Sequence, residues 1–99
     1  VKTKRVTVEG CEYTIRRWTV AERIEFLKMA EEARNLSAKE VYEKQIEIIS
    51  RNTGLSREEI LKMDGVALDL LLKEIVEFNT PPLDLGVALQ RRSTEAQQR

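Results

Sequence analysis

The residues that carry most chemistry are scarce in this chain. There is no His, which removes the usual general base, the commonest metal ligand and the switch that titrates near neutrality. A single Cys, Cys11, excludes an intrachain disulfide, a paired-Cys zinc site and a dithiol redox motif. Carboxylates are plentiful, but Glu22 and Glu25, or Glu40, Glu43 and Glu47, stand beside Lys and Arg at helical spacing and read as solvated charge. No Asp-Gly calcium loop and no Glu-x-x-His pair organises them, so neither a metal nor a cofactor is expected. The four Gly are scattered at 10, 54, 65 and 86, which leaves no glycine-rich phosphate loop. An enzyme has no obvious residues to run on.

One motif does point to a function. Ser50-x-x-x-Gly54-Leu55, followed by Ile60 and Met63, has the spacing of a helix-turn-helix: a small residue for close helix contact, then a Gly to make the turn. Residues 57–63 would be the recognition helix. Any two short helices joined at a Gly cap give the same pattern, and charge separates the two readings. Residues 36–63 hold five basic and five acidic groups, whereas duplex binding leans on attraction to phosphate. The whole chain, with 17 Lys+Arg against 17 Asp+Glu, argues equally against nucleic acid and anionic lipid as bulk partners.

The elements that position these residues are well punctuated. Val6 and Val8, then Cys11, Tyr13 and Ile15, alternate with polar residues around Glu9-Gly10, which predicts a hairpin over 4–17 with those five side chains on one apolar face. Cys11 then faces the core and is structural. Thr19, Ser37 and Ser56 each precede a Glu by three residues, the pattern of a capping box, and Asp64 can cap a fourth helix. Helices are expected at 20–34, 38–52, 57–63 and 65–78, the last ended by Asn79-Thr80-Pro81-Pro82. The fold class is α+β, mostly α: an N-terminal β-hairpin packed on a small bundle of about four helices.

Residues 1–80 therefore make one domain. Residues 81–99 form a C-terminal arm, with Leu83, Leu85, Val87 and Leu89 alternating, and then a tail expected to be disordered. Helix 20–34 is unusual in having two apolar stripes, one of Val20, Ile24 and Leu27 and another of Phe26, Met29, Ala30 and Ala33, with Arg23 and Arg34 between them. Two stripes suit two partners, one of which could be another copy in a homo-oligomer. No run long enough to span a membrane occurs, and Val1–Arg5 has no signal-peptide core, so an intracellular setting is expected.

The stretch from Val6 to Arg23, VTVEGCEYTIRRWTVAER, resembles the start of tail assembly chaperones of long-tailed bacteriophages and prophages. That family opens with a short strand, a Gly turn before an aromatic strand, and a Thr-capped helix with Glu and Arg in its first turn. The similarity covers residues 6–35 and, more loosely, 56–80. It implies a non-enzymatic protein that binds the tape measure protein, helps recruit tail tube subunits, works in the cytoplasm of the bacterial host and is absent from the mature virion. The family brings no catalytic residues. The protein-binding residues suggested by the faces themselves are Phe26, Met29, Ala30 and Ala33, joined by Leu83, Leu85, Val87 and Leu89 of the arm. A small intracellular protein-binding adaptor and, behind it, the helix-turn-helix regulator are the alternatives.

Overall fold

A computed structural model describes residues 2–79. Strands β1 (Thr3–Val8) and β2 (Cys11–Arg16) pair antiparallel, with Val8 opposite Cys11 and Val6 opposite Tyr13, the expected register. Helices α1 (Val20–Glu32), α2 (Ala38–Thr53), α3 (Arg57–Leu61) and α4 (Gly65–Phe78) follow, with a 3-10 turn at Ala33–Asn35 after α1. The protein is α+β and mostly α. Two helices are shorter than their periodicity suggested. The last residues of the first become the 3-10 turn, and α3 stops at Leu61, where Lys62 closes a tighter turn back to Glu59.

Local chemistry explains most element ends. Thr19 and Ser56 form complete capping boxes with Glu22 and Glu59. Ser37 makes half of one. Its hydroxyl accepts from the Glu40 amide, but the Glu40 carboxylate takes the hydroxyl proton and leaves the Ser37 backbone amide alone. Gly54 ends α2 in the left-handed region at φ 80°, which a side chain would resist. The hairpin turn is less well matched to its residues. Glu9 and Gly10 both have positive φ, 47° and 82°, as a type I′ turn requires, and Glu is poorly suited to the first position.

The core lies between the hairpin and two helices. Ile15, Ile49, Leu71 and Ile75 are fully enclosed, with Val6, Val8, Ile46, Ile60, Ala67 and Leu68 around them. Their spacing is what places them: alternate residues on the strands, and every third or fourth residue on α2 and α4. Val66 and Leu70 of α4 are exposed, as is Tyr42 of α2. Cys11 corrects the expectation that all five hairpin apolar residues face inward, because it is exposed. α4 packs on both strands and α2 is bonded to β2 at Arg16, the end away from the turn, while Val8, opposite Cys11, is itself enclosed.

Two buried asparagines hold the segment that leaves the sheet. The Asn52 amide of α2 accepts from Arg16 N–H at 3.0 Å and donates to Arg16 C=O at 2.9 Å, as a neighbouring strand would. Asn79, just past α4, accepts from Trp18 N–H at 2.7 Å and donates to the carbonyls of Ile75, at 2.9 Å, and Arg16, at 3.3 Å. Both side chains are only 3% exposed, so an unmade bond there would have no water to replace it. Phe78 adds a further tie, with the Arg17 guanidinium 4.3 Å over its ring.

Asn52→Ala is therefore expected to lower unfolding free energy by about 2 kcal/mol in urea titration, because it strands the Arg16 amide in the interior. Glu9→Asn should raise it by about 1 kcal/mol, since Asn tolerates the left-handed turn position far better.

Candidate functional site

α1 is the least integrated helix. None of its residues is buried. It is held by polar contacts: the Glu22 carboxylate near Arg16 at 3.5 Å, Arg23 donating to the Asn79 carbonyl at 2.9 Å, and Glu25 paired with Arg51 of α2 at 2.6 Å. One ring contact supplements them, Phe26 against Trp18 with centroids 5.0 Å apart. Exposed ion pairs of this kind contribute at most about 1 kcal/mol each. A helix so attached keeps most of its apolar surface available.

The two stripes take different surroundings. Phe26, Met29 and Ala33 turn toward the domain and are half-buried, while Ala30 between them stays exposed. Met29 joins Trp18 and Ile48 of α2 along a cleft of about 290 Å³ between α1 and α2. The walls carry both signs of charge: Glu22, Glu25 and Glu32 with Lys28 on α1, and Lys44, Glu47 and Arg51 on α2. Arg51 spans the gap, bonding Glu47 at 2.7 Å as well as Glu25. The other stripe is open. Val20, Ile24 and Leu27 are 77%, 53% and 54% exposed.

Of the residues singled out in the sequence, the structure thus brings Met29 into a concave site, sets Phe26 on Trp18 and leaves Ala30 on the rim. Leu83, Leu85, Val87 and Leu89 lie outside the described residues. Trp18 and Ile48 are additions that sequence reasoning did not assign to the site. Trp18 stands between β2 and α1 in the chain, a position from which it can pin that junction.

The second helix of the Ser50–Gly54 corner is shorter than the expected 57–63. α3 has five residues, and its one Arg is occupied: Arg57 forms a two-pronged pair with Glu43 of α2 at 2.5 and 2.8 Å. Glu59 is used in the cap. The Ser50-Gly54 spacing serves the corner itself, where Ser50 donates to the Leu55 carbonyl at 2.7 Å and Gly54 N–H donates to Ser50 C=O. Among the described residues no helix is long and apolar enough to cross a membrane. Neither the protein-family models, the curated proteins nor the solved structures contain a match to this chain.

The Arg57 pair has a pH signature. Hydrogen bonds from the guanidinium, and then its charge and that of Lys39, hold the Glu43 carboxyl below its ordinary 4.5. A carboxyl lowered in this way adds stability that is complete above the ordinary value and disappears as pH falls through the folded one. Wild type should therefore be slightly more stable than Glu43→Gln at neutral pH, and the two urea midpoints should converge well below pH 4.5.

Proposed function

We propose that this protein is a non-enzymatic protein-binding module that captures apolar side chains of helical client segments, and that it acts as a tail assembly chaperone on a phage tape measure protein. The observation that carries the first part is the cleft between α1 and α2, with Trp18, Met29 and Ile48 as its apolar lining and mixed charge around it. Its volume suits one or two large side chains of an amphipathic helix rather than a whole helix. Met29, unbranched and polarisable, adapts to clients of different shape. Weak capture of this kind becomes effective when many copies line a long client.

The second part rests on the resemblance of residues 6–35. The features that carry it are the Glu9-Gly10 turn, the aromatic strand and the Thr19–Glu22 capping box. Recruitment of tail tube subunits, a cytoplasmic site of action and absence from the finished virion belong to the same reading. Duplex DNA fits poorly, since α3 is short and its Arg is paired within the domain.

Co-expression with the tape measure protein of the same phage or prophage tests the proposal, scored by soluble co-purification. Wild type should hold the client in solution, and Met29→Glu should lose it while keeping the wild-type urea midpoint. Met29 is the better probe than Phe26, whose ring packs on Trp18 and whose loss would disturb the fold. No complex with a well-behaved wild-type protein would sink the chaperone reading. A complex indifferent to Met29→Glu would move binding away from the cleft.

A further inference from the structure

Two apolar faces point into solvent, and they stand on different helices. On α1, Val20, Ile24 and Leu27 fall within an arc of about 60°, opposite the half-buried Phe26 and Met29. On α4, Val66 and Leu70 stand one turn apart, on the side away from the enclosed Leu68, Leu71 and Ile75. Neither pair of neighbours lines the cleft between α1 and α2. Because both faces are exposed in the same molecule, they do not cover one another within it.

Charge distinguishes the two. Within about 60° of the α1 face stand Arg23, Lys28 and Arg34 against Glu31, three basic groups to one acidic. Within about the same angle of the α4 face stand Asp69, Glu74 and Glu77 against Lys73, three acidic groups to one basic. Arg23 is bonded to a backbone carbonyl, which leaves its charge uncompensated, and Lys73 lies 3.9 Å from Glu77.

Between two molecules these faces can meet in three ways. α1 on α1 sets positive rims against each other, and α4 on α4 sets negative ones. Only α1 on α4 joins opposite charges. Burial of the aliphatic groups then supplies attraction, and the rims choose the partner. The contact is small, three apolar side chains against two, where a standard interface has roughly 20–30 residues a side, so each one is weak. A molecule bound through one face keeps the other free, and the contact can repeat.

We propose that the protein self-associates head to tail, with the Val20–Ile24–Leu27 face of α1 in one copy seated on the Val66–Leu70 face of α4 in the next. This proposal is independent of the chaperone reading, which uses the cleft. Ile24→Asp and Val66→Asp test it, each at an exposed position of the full chain, by NMR diffusion measurements up to millimolar protein. A reductant is needed throughout, because Cys11 is exposed and could form a disulfide between copies. Wild type should diffuse more slowly as its concentration rises, and each variant should remain a monomer with the wild-type circular dichroism spectrum. Mixed in equal amounts, the variants should associate and stop at a dimer. Ile24→Asp keeps the α4 face and Val66→Asp keeps the α1 face, so the pair can make one contact and no more.

Four results would overturn the proposal. Wild type that diffuses as a monomer at every concentration would mean that the faces do not associate. Association that survives Val66→Asp would give the α1 face to its own kind, and association that survives Ile24→Asp would do the same for α4. A mixture that stays monomeric would mean that the two faces do not meet.

Discussion

The backbone between Arg16 and Trp18 is where the sheet, α2 and α4 meet, and two side-chain amides hold it there. A strand that ends against helices leaves N–H and C=O groups facing the interior, and these need partners of the right polarity and spacing. Asn52 supplies one donor and one acceptor to Arg16, and Asn79 supplies the same pair to Arg16 and Trp18. Apolar residues at 52 and 79 would fill the volume but leave the chain's polar groups unmet. The enclosed aliphatics Ile15, Ile49, Leu71 and Ile75 provide attraction without direction, and the asparagines provide the direction.

The path of α1 depends on the same junction. Trp18, fixed through its amide by Asn79, presents its ring to Phe26, and the Asn79 carbonyl receives Arg23. The remaining attachments of α1 are ion pairs at the surface. The domain therefore spends its enclosed apolar surface on the hairpin, α2 and α4, and carries α1 as an outer helix with apolar material on two sides. On one side a cleft lies between α1 and α2, with Trp18 and Ile48 in its lining. The other side stays open beside the chain's exit from α4.

Much of this was legible in the residues. Alternation on either side of Glu9-Gly10 is sufficient for the hairpin register, because a period of two has only one arrangement that puts Val6, Val8 and Ile15 together. Hydroxyl-to-Glu spacings mark helix starts because the chemistry they satisfy is local. On α4, Ala67, Leu68, Leu71 and Ile75, at helical spacing, are the buried residues, and Val66 and Leu70 are exposed. The site was read less fully. Met29 belongs to the cleft, but its partners Trp18 and Ile48 come from either side of α1 in the chain, and no local pattern joins them. The asparagines carried one faint signal: Asn52 sits three residues after Ile49 on the buried face, a polar residue where an apolar one was due.

Sequence alone determined what depends on neighbours a few residues apart: the strands, the turn that demands positive φ, the caps, the stripes of each helix, and the absence of His and of a second Cys. Tertiary structure decided what depends on which surfaces meet. Both stripes of α1 are aliphatic or aromatic and equally fit for burial, so only the docking of Trp18 selects the Phe26 side. Cys11 pairs with Val8, yet only the structure shows that Val8 is enclosed and Cys11 lies in solvent. Ser50 and Gly54 have the spacing of a helix-turn-helix corner, and only the structure shows that a five-residue helix follows it, with Arg57 paired to Glu43. Spacing along a chain fixes which side chains share a face, and the contacts between elements fix which face is covered.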